Sequence, residues 1–371
     1  MRHWFSMLTL AATLTAPAIS ARAQQRWSAD RALAWENDHG WLTGANYIPR
    51  TAINQLEMWQ ADTFDPATID QELGWAHDIG FNVARVFLHD LLWAQDSLGF
   101  LSRVDQFLAI AERHKVQIIF VLLDGVWNPQ PKLGKQPSPK PHTHNSGWVQ
   151  SPGAEFLQDS LHYDRLSPYI KGVLTRFKDD SRVIAWDLFN EPDNPDRILD
   201  DKIKPVLALA LLKHVVGWAR EVNPSQPLTT GVWWGEWAHA ASWAPIQQFS
   251  LENSDVISFH QYGDSAAMRN SIVQLQALGR PLICTEYMAR HQKSTFATVL
   301  PVLSEQSVGA INWGFVSGKT QTIFPWDSAT KPYPDDPKPW FHDVLRPDGQ
   351  PYDPAEVTLI RLLTKAHELL R

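Results

Sequence analysis

Eight short apolar runs recur along the chain, at 41–48, 82–88, 117–123, 183–189, 228–234, 256–262, 281–287 and 308–315. Most are nearly continuous rather than alternating, which predicts strands covered on both faces, as in a parallel sheet. Between them the spacing turns helical. Over 100–114, Leu101, Val104, Phe107, Leu108 and Ala111 fall on one stripe. Asp65-Pro66 supplies an N-cap and an N1 proline, and Gly80 closes the helix that follows. Further helices are predicted over 161–177, with Pro168 near its start, and over 205–222, which is strongly apolar. Asp264 caps another that stops at Gly279. One over 294–305 is interrupted by Pro301, and Asp353-Pro354 begins the last. The stretch 242–251 is the weakest of the set, because Pro245 disturbs it. Strand and helix alternating eight times predict an α/β fold, the (β/α)8 or TIM barrel.

Two segments are too long for simple connections. Residues 124–160 follow the third strand and are rich in proline, histidine and glycine; residues 316–352 follow the eighth and hold Trp326 and Trp340. Loops of that length are usually functional or disordered. Because both follow strands, they fall on the face where such barrels build their sites. No linker divides the repeats, so residues 24–371 read as a single domain. Residues 1–23 read as an export signal: Arg2 and His3, an apolar stretch from Met7 to Ile19, then the small-x-small site Ala21-Arg22-Ala23. The apolar stretch is too short for a membrane span. A periplasmic or secreted protein is expected, with no membrane insertion once the signal is removed.

Composition narrows the picture. The formal charge is −7, spread without any basic run, which argues against nucleic acid and anionic membranes as partners. The 18 tryptophans are many for this length; some must be core, and others suit the CH faces of sugar rings. Trp127, Trp148, Trp326 and Trp340 lie in the long loops. Cys284, the single cysteine, cannot form an internal disulfide and sits mid-strand as a buried thiol. No glycine pattern for nucleotides appears, so no cofactor is implied. His142-x-His144 lies in a proline-rich loop without further ligands at metal spacing, so no metal is predicted.

Side chains at strand ends converge on the barrel axis. The mouth is therefore expected to receive Asn46, Arg85, His89, Asp90, Asp124, Asn190, Glu191, Glu236, His260, Tyr262, Glu286 and Trp313. Two of these stand out. Glu191 follows Asn190 at the end of the fourth run, and Glu286 ends the seventh. A facing pair of carboxyls is the equipment for breaking a glycosidic bond, one as acid and one as nucleophile or base. Asn190 is placed to bond a sugar 2-hydroxyl, and Arg85 and Tyr262 to hold Glu286 ionised. Asp187, deeper on the same strand as Glu191, reads as structural. Glu236, in Trp233-Trp234-Gly235-Glu236-Trp237, is a candidate for sugar hydroxyls or a substitute acid.

These motifs resemble glycoside hydrolase family 5, the cellulase family, of the retaining (β/α)8 clan. Phe81-Asn82-Val83-Ala84-Arg85 resembles the family's strand-two arginine, which contacts the nucleophile. Asn190-Glu191-Pro192 matches its acid/base motif and His260-Gln261-Tyr262 its strand-six His-x-Tyr. Glu286 matches its nucleophile, and Trp313 the strand-eight tryptophan beneath the sugar of subsite −1. One corner departs. The family often carries a histidine after strand three, where this chain has Asp124-Gly125-Val126-Trp127. Specificity therefore does not carry over at that corner, although the catalytic pair does.

The resemblance implies an exported, retaining β-glycosidase acting on a β-linked carbohydrate of β-1,4-glucan, mannan or xylan type. Two other readings stand beside it: a transglycosylase with the same pair, and a non-catalytic glycan-binding barrel. The long loops offer walls that can block one end of a cleft and make the action exo.

Overall fold

The structure, a computed structural model, describes residues 25–370; the export-signal reading falls outside them. Eight parallel strands follow in chain order: β1 (Thr43–Tyr47), β2 (Val83–Phe87), β3 (Gln117–Val121), β4 (Val183–Asp187), β5 (Leu228–Thr229), β6 (Ile257–His260), β7 (Leu282–Glu286) and β8 (Gly309–Asn312). Each pairs with its sequence neighbours except β5 and β6, which end the sheet order, and β1 pairs with β8. The seam between β5 and β6 is narrow. It is carried by the Val232–Phe259 bridge and by the Asp255 N–H donating to the Leu228 carbonyl at 2.8 Å. The result is a nearly closed (β/α)8 barrel.

All eight predicted runs contain a strand, each shorter than its run. The fifth shrinks most, with only Leu228–Thr229 in regular pairing. The helices differ more. The expected helix at 100–114 begins ten residues earlier, at Asp90, with a break at Asp96, whose φ and ψ of −159° and 82° are non-helical. Asp96 then caps the second part by accepting from the Gly99 N–H. Pro245 does not disturb its helix; it occupies the first turn of Pro245–Asn253, where a missing N–H costs nothing. The helix Phe296–Glu305 runs through Pro301 rather than stopping there. The stretch from Ser160 to Leu166 is a 3-10 turn leading into the helix Ser167–Phe177.

The main core lies between the strands and the surrounding helices. A smaller cluster fills the barrel interior at its lower end, where Val83, Ile119, Ile184, Ile283 and Ile311 meet Trp27 and Trp35. Trp27 precedes helix Ala29–His39 and Trp35 lies within it, an element the sequence pattern had not signalled. Buried Asp255 ties it down, accepting from the Trp27 N–H at 2.7 Å and pairing with Arg220 at 2.8 Å. Apolar packing below leaves the polar side chains to collect at the upper mouth.

Candidate active site

Register decides which side chains meet. Asn46 and Arg85 are paired positions on β1 and β2. An irregularity between Phe259 and His260 brings His260 opposite Glu286. Beyond the strand ends, a bridge between Asp124 and Asn190 extends the β3–β4 pairing into the loops.

Arg85 is the hub. Fully buried, it donates to Asp187 at 2.7 Å, Asn190 at 2.7 Å, Asn46 at 2.7 Å and Glu286 at 3.2 Å. Asn46 in turn donates to the Thr285 carbonyl at 2.7 Å, which fixes the strand segment carrying Glu286. Glu286 also accepts from the Tyr262 hydroxyl at 2.7 Å. Burial and the neighbouring carboxylate raise Tyr262 well above the usual phenol range, so it remains a donor.

Glu191 stands across from Glu286. Asn194 donates to it at 2.6 Å, and it shares a hydrogen bond of 2.7 Å with His260 Nδ1. One oxygen of each carboxyl and one ring nitrogen of His260 all lie within 4.8 Å of one another. Burial lifts both carboxyls to about 7. At Glu191 the Asn194 amide opposes the rise, Asp193 adds to it, and Arg85 and Lys204 oppose it; at Glu286 His260 opposes it, Glu191 adds to it, and the Arg85 guanidinium and the Tyr262 hydroxyl oppose it. Burial pushes His260 down to about 4, so the imidazole is neutral near pH 7.

The backbone at Glu191 is strained, with φ of +40°. Non-glycine residues in this region persist where surrounding contacts over-determine them. Here Gly125 supplies the contacts. Its N–H donates to the Asn190 carbonyl at 2.8 Å, and a Cβ at this position would lie 2.3 Å from the Glu191 carbonyl oxygen. The ammonium of buried Lys204 donates to the Gly125 carbonyl at 2.6 Å and to Asp196 at 2.9 Å. The divergent corner after β3 thus has a definite role. Asp124 accepts from Asn190 at 2.9 Å and from Trp148 at 2.6 Å, and so orients the amide beside the two carboxyls.

A cavity of about 250 Å³ opens above the two carboxyls. Trp127, Trp148, Trp233, Trp313 and Trp326 line it together with Asn190, Glu191, Tyr262 and Glu286. Trp313 is held edge-on by Phe87 and Trp148. The two long loops meet as a wall on one side. His144 and Asn145 bond the backbone at Phe324 and Thr320, both at 2.8 Å, and the His142 N–H donates to Gln321 at 2.8 Å. The segment after β1 braces this wall, with Asn54 donating to the Gly147 carbonyl at 2.8 Å.

Not every expected residue arrives. Glu236 is exposed, accepts from Gln274 at 3.3 Å and does not line the cavity; the turn at Gly235 carries it outward. His89 and Asp90 are turned to the start of helix Asp90–Arg113, where His89 caps Leu91. Trp340 stacks on Tyr352 in a separate cluster. Cys284 is a buried free thiol. Conversely, Asn194, His144, Asn145 and Trp233 were not singled out for the site in the sequence. Trp233 had a signal, since tandem tryptophans after a strand suit a cleft wall; its indole donates to Asp193 at 2.7 Å.

A family model described as cellulase, glycosyl hydrolase family 5, matches residues 49–318, well over half of the chain. The chain belongs to glycosyl hydrolase family 5. No curated protein sequence matches it. Several solved structures share the fold. An exo-β-1,4-mannosidase from Opitutaceae bacterium strain TAV5 is 18% identical over 89% of this chain and 60% of its own, with a TM-score of 0.61. GH5_18 from Streptomyces cattleya, in complex with GlcNAc, is 11% identical over 89% and 80%, at 0.57. An endo-1,4-β-mannanase from Rhizomucor miehei is 14% identical over 89% and 95%, also at 0.57. As a family 5 protein, the chain is a glycoside hydrolase acting on β-linked glycans.

Proposed function

We propose that this protein is an exported, retaining, exo-acting β-glycosidase whose substrate is a mannose-type β-1,4-linked glycan. The observation that carries the mechanism is the approach of Glu191 and Glu286 within 4.8 Å. Retaining enzymes hold their carboxyls ~5–5.5 Å apart, whereas inverting ones leave ~6.5–9.5 Å for a water.

The two carboxyls have unequal partners, and this supports unequal roles. Glu286 faces a guanidinium and a phenol hydroxyl, which favour its anion. Glu191 hydrogen-bonds only an amide and a neutral imidazole, with Asp193 nearby and the Arg85 and Lys204 cations acting on it without direct contact. The proton that the pair retains therefore rests on Glu191. In the proposed cycle Glu191 gives it to the leaving oxygen while Glu286 attacks the anomeric carbon. Glu191, now a base, takes a proton from water, which displaces Glu286 from the sugar. A bound sugar in place of that water would give transglycosylation, which product analysis at high substrate concentration detects.

The role of Glu191 predicts a pH dependence. With its acid at about 7, kcat/KM should fall as pH rises through neutrality and the acid form is lost. Glu191→Gln should remove that limb. It should cost ~10²–10⁴ in rate on glycosides with poor leaving groups and far less on activated aryl glycosides. An equal loss on both would contradict the assignment.

Exo action rests on the wall built by the two long loops on one side of the pocket. The mannose-type substrate is supported by the similar enzymes, among them the exo-β-1,4-mannosidase and GH5_18 captured with Manβ1-4GlcNAc. Digestion of β-1,4-mannooligosaccharides should release single sugars from the first time point; an early spread of mid-length products would overturn exo action. Export is supported by the apolar leader and its small-x-small site, and N-terminal sequencing of protein recovered outside the cytoplasm tests it.

A further inference from the structure

Past Trp127 lies a second cavity, of about 380 Å³. Trp127, His144, Asn145 and Trp148 line both it and the catalytic pocket, so the two are neighbours across a shared wall. Two members of that wall, Trp127 and Asn145, have φ of +69° and +45°. Such conformations gather where a site needs them.

The lining of this second cavity has one sign of charge. Lys140 and Arg197 contribute to it, and no carboxylate does. The Arg197 guanidinium is held by two neutral acceptors, Asn128 at 3.0 Å and Gln130 at 2.7 Å. These fix its position without neutralising it. Asp196, its chain neighbour, is turned away to Lys204 and to Gln150 at 3.0 Å. The sequence agrees: from 125 to 154 the loop carries Lys132, Lys135 and Lys140 but not one Asp or Glu, in a chain of net charge −7. The catalytic carboxylates lie on the other side of Trp127. A neutral glycan gains little from such a separation of charge, whereas an anionic substituent is drawn to the basic side and repelled from the acidic one.

We propose that the cavity beyond Trp127 is a subsite for an anionic substituent, a carboxylate or a sulfate ester, on the sugar at or beside the cleaved bond. Lys140 and Arg197 are its recognition groups. This inference rests on the glycosidase reading and makes it more specific: the preferred substrate is an acidic heteroglycan rather than a plain one.

The test compares kcat/KM on two matched pairs of β-linked oligosaccharides. One pair is uronic-acid-bearing and carboxyl-reduced; the other is sulfated and desulfated. The wild type should prefer the charged member of one pair by about five- to tenfold, the scale of two partly exposed ion pairs. That ratio should fall toward one in ~1 M salt, where screening acts over about 3 Å, and in the Lys140→Gln, Arg197→Gln double variant. Cleavage of the neutral forms with no preference for either charged form overturns the subsite alone. A preference that survives in the double variant also overturns it. Failure to cleave any of the four overturns the glycosidase reading, and the inference falls with it.

Discussion

Glu286→Gln is expected to lose roughly four or more orders of magnitude in kcat on an aryl β-glycoside while the fold is kept. The amide has nearly the same volume, and its oxygen can still accept from the Tyr262 hydroxyl. What it cannot do is attack the anomeric carbon, and the loss of a nucleophile is not made up by the rest of the site. Stability should change little, because Arg85 retains Asp187 as an ionic partner at 2.7 Å. Steady-state kinetics with a parallel denaturation curve checks both halves. Near-normal turnover would remove Glu286 from the mechanism; a collapse of the curve would leave it a structural carboxylate.

Arg85→Met should have the largest effect on stability. The guanidinium is fully buried and faces Asp187 and Glu286 together. Removing it leaves two carboxylates buried with no cation between them, a loss worth ~3–5 kcal/mol. The sign of the accompanying change in activity follows from the charge. Without Arg85 the neutral form of Glu286 gains, so the low-pH limb of the rate profile, where the nucleophile is protonated, should move to higher pH. Asp187→Asn in the same chain should restore part of the stability without restoring the profile. A denaturant midpoint equal to that of the wild type would show that Arg85 does not hold this network together.

The barrel was legible in the sequence because strands buried on both faces have little choice of composition. Runs such as 117–123 and 183–189 can scarcely be anything else. Helix ends were harder. Pro245 looked like a breaker and is an N1 residue; Asp90–Arg113 was cut short because its Asp96 break interrupts the stripe. The central pair and its supports could be named because strand ends converge, so that Arg85, His260, Tyr262 and Glu286 needed only their positions to be placed together. Glu236 met the same positional rule and failed, since the rule assumes a strand that reaches the mouth, and β5 ends at Thr229. The wall was beyond reach for a different reason. Its contacts join residues such as Asn145 and Thr320, far apart in loops with no period to read. The strained geometry that lets Gly125 pack against Glu191 is likewise a property of the assembled corner, although the departure at Asp124-Gly125 marked the place.

Both carboxyl roles converge on one stereochemical outcome. Proton NMR of the first product formed from a β-glycoside, recorded before mutarotation, reads it directly. The account predicts the β-anomer, from two successive inversions at the anomeric carbon. An α-anomer in the earliest spectra would mean a single displacement by water, and Glu286 could not then be a nucleophile.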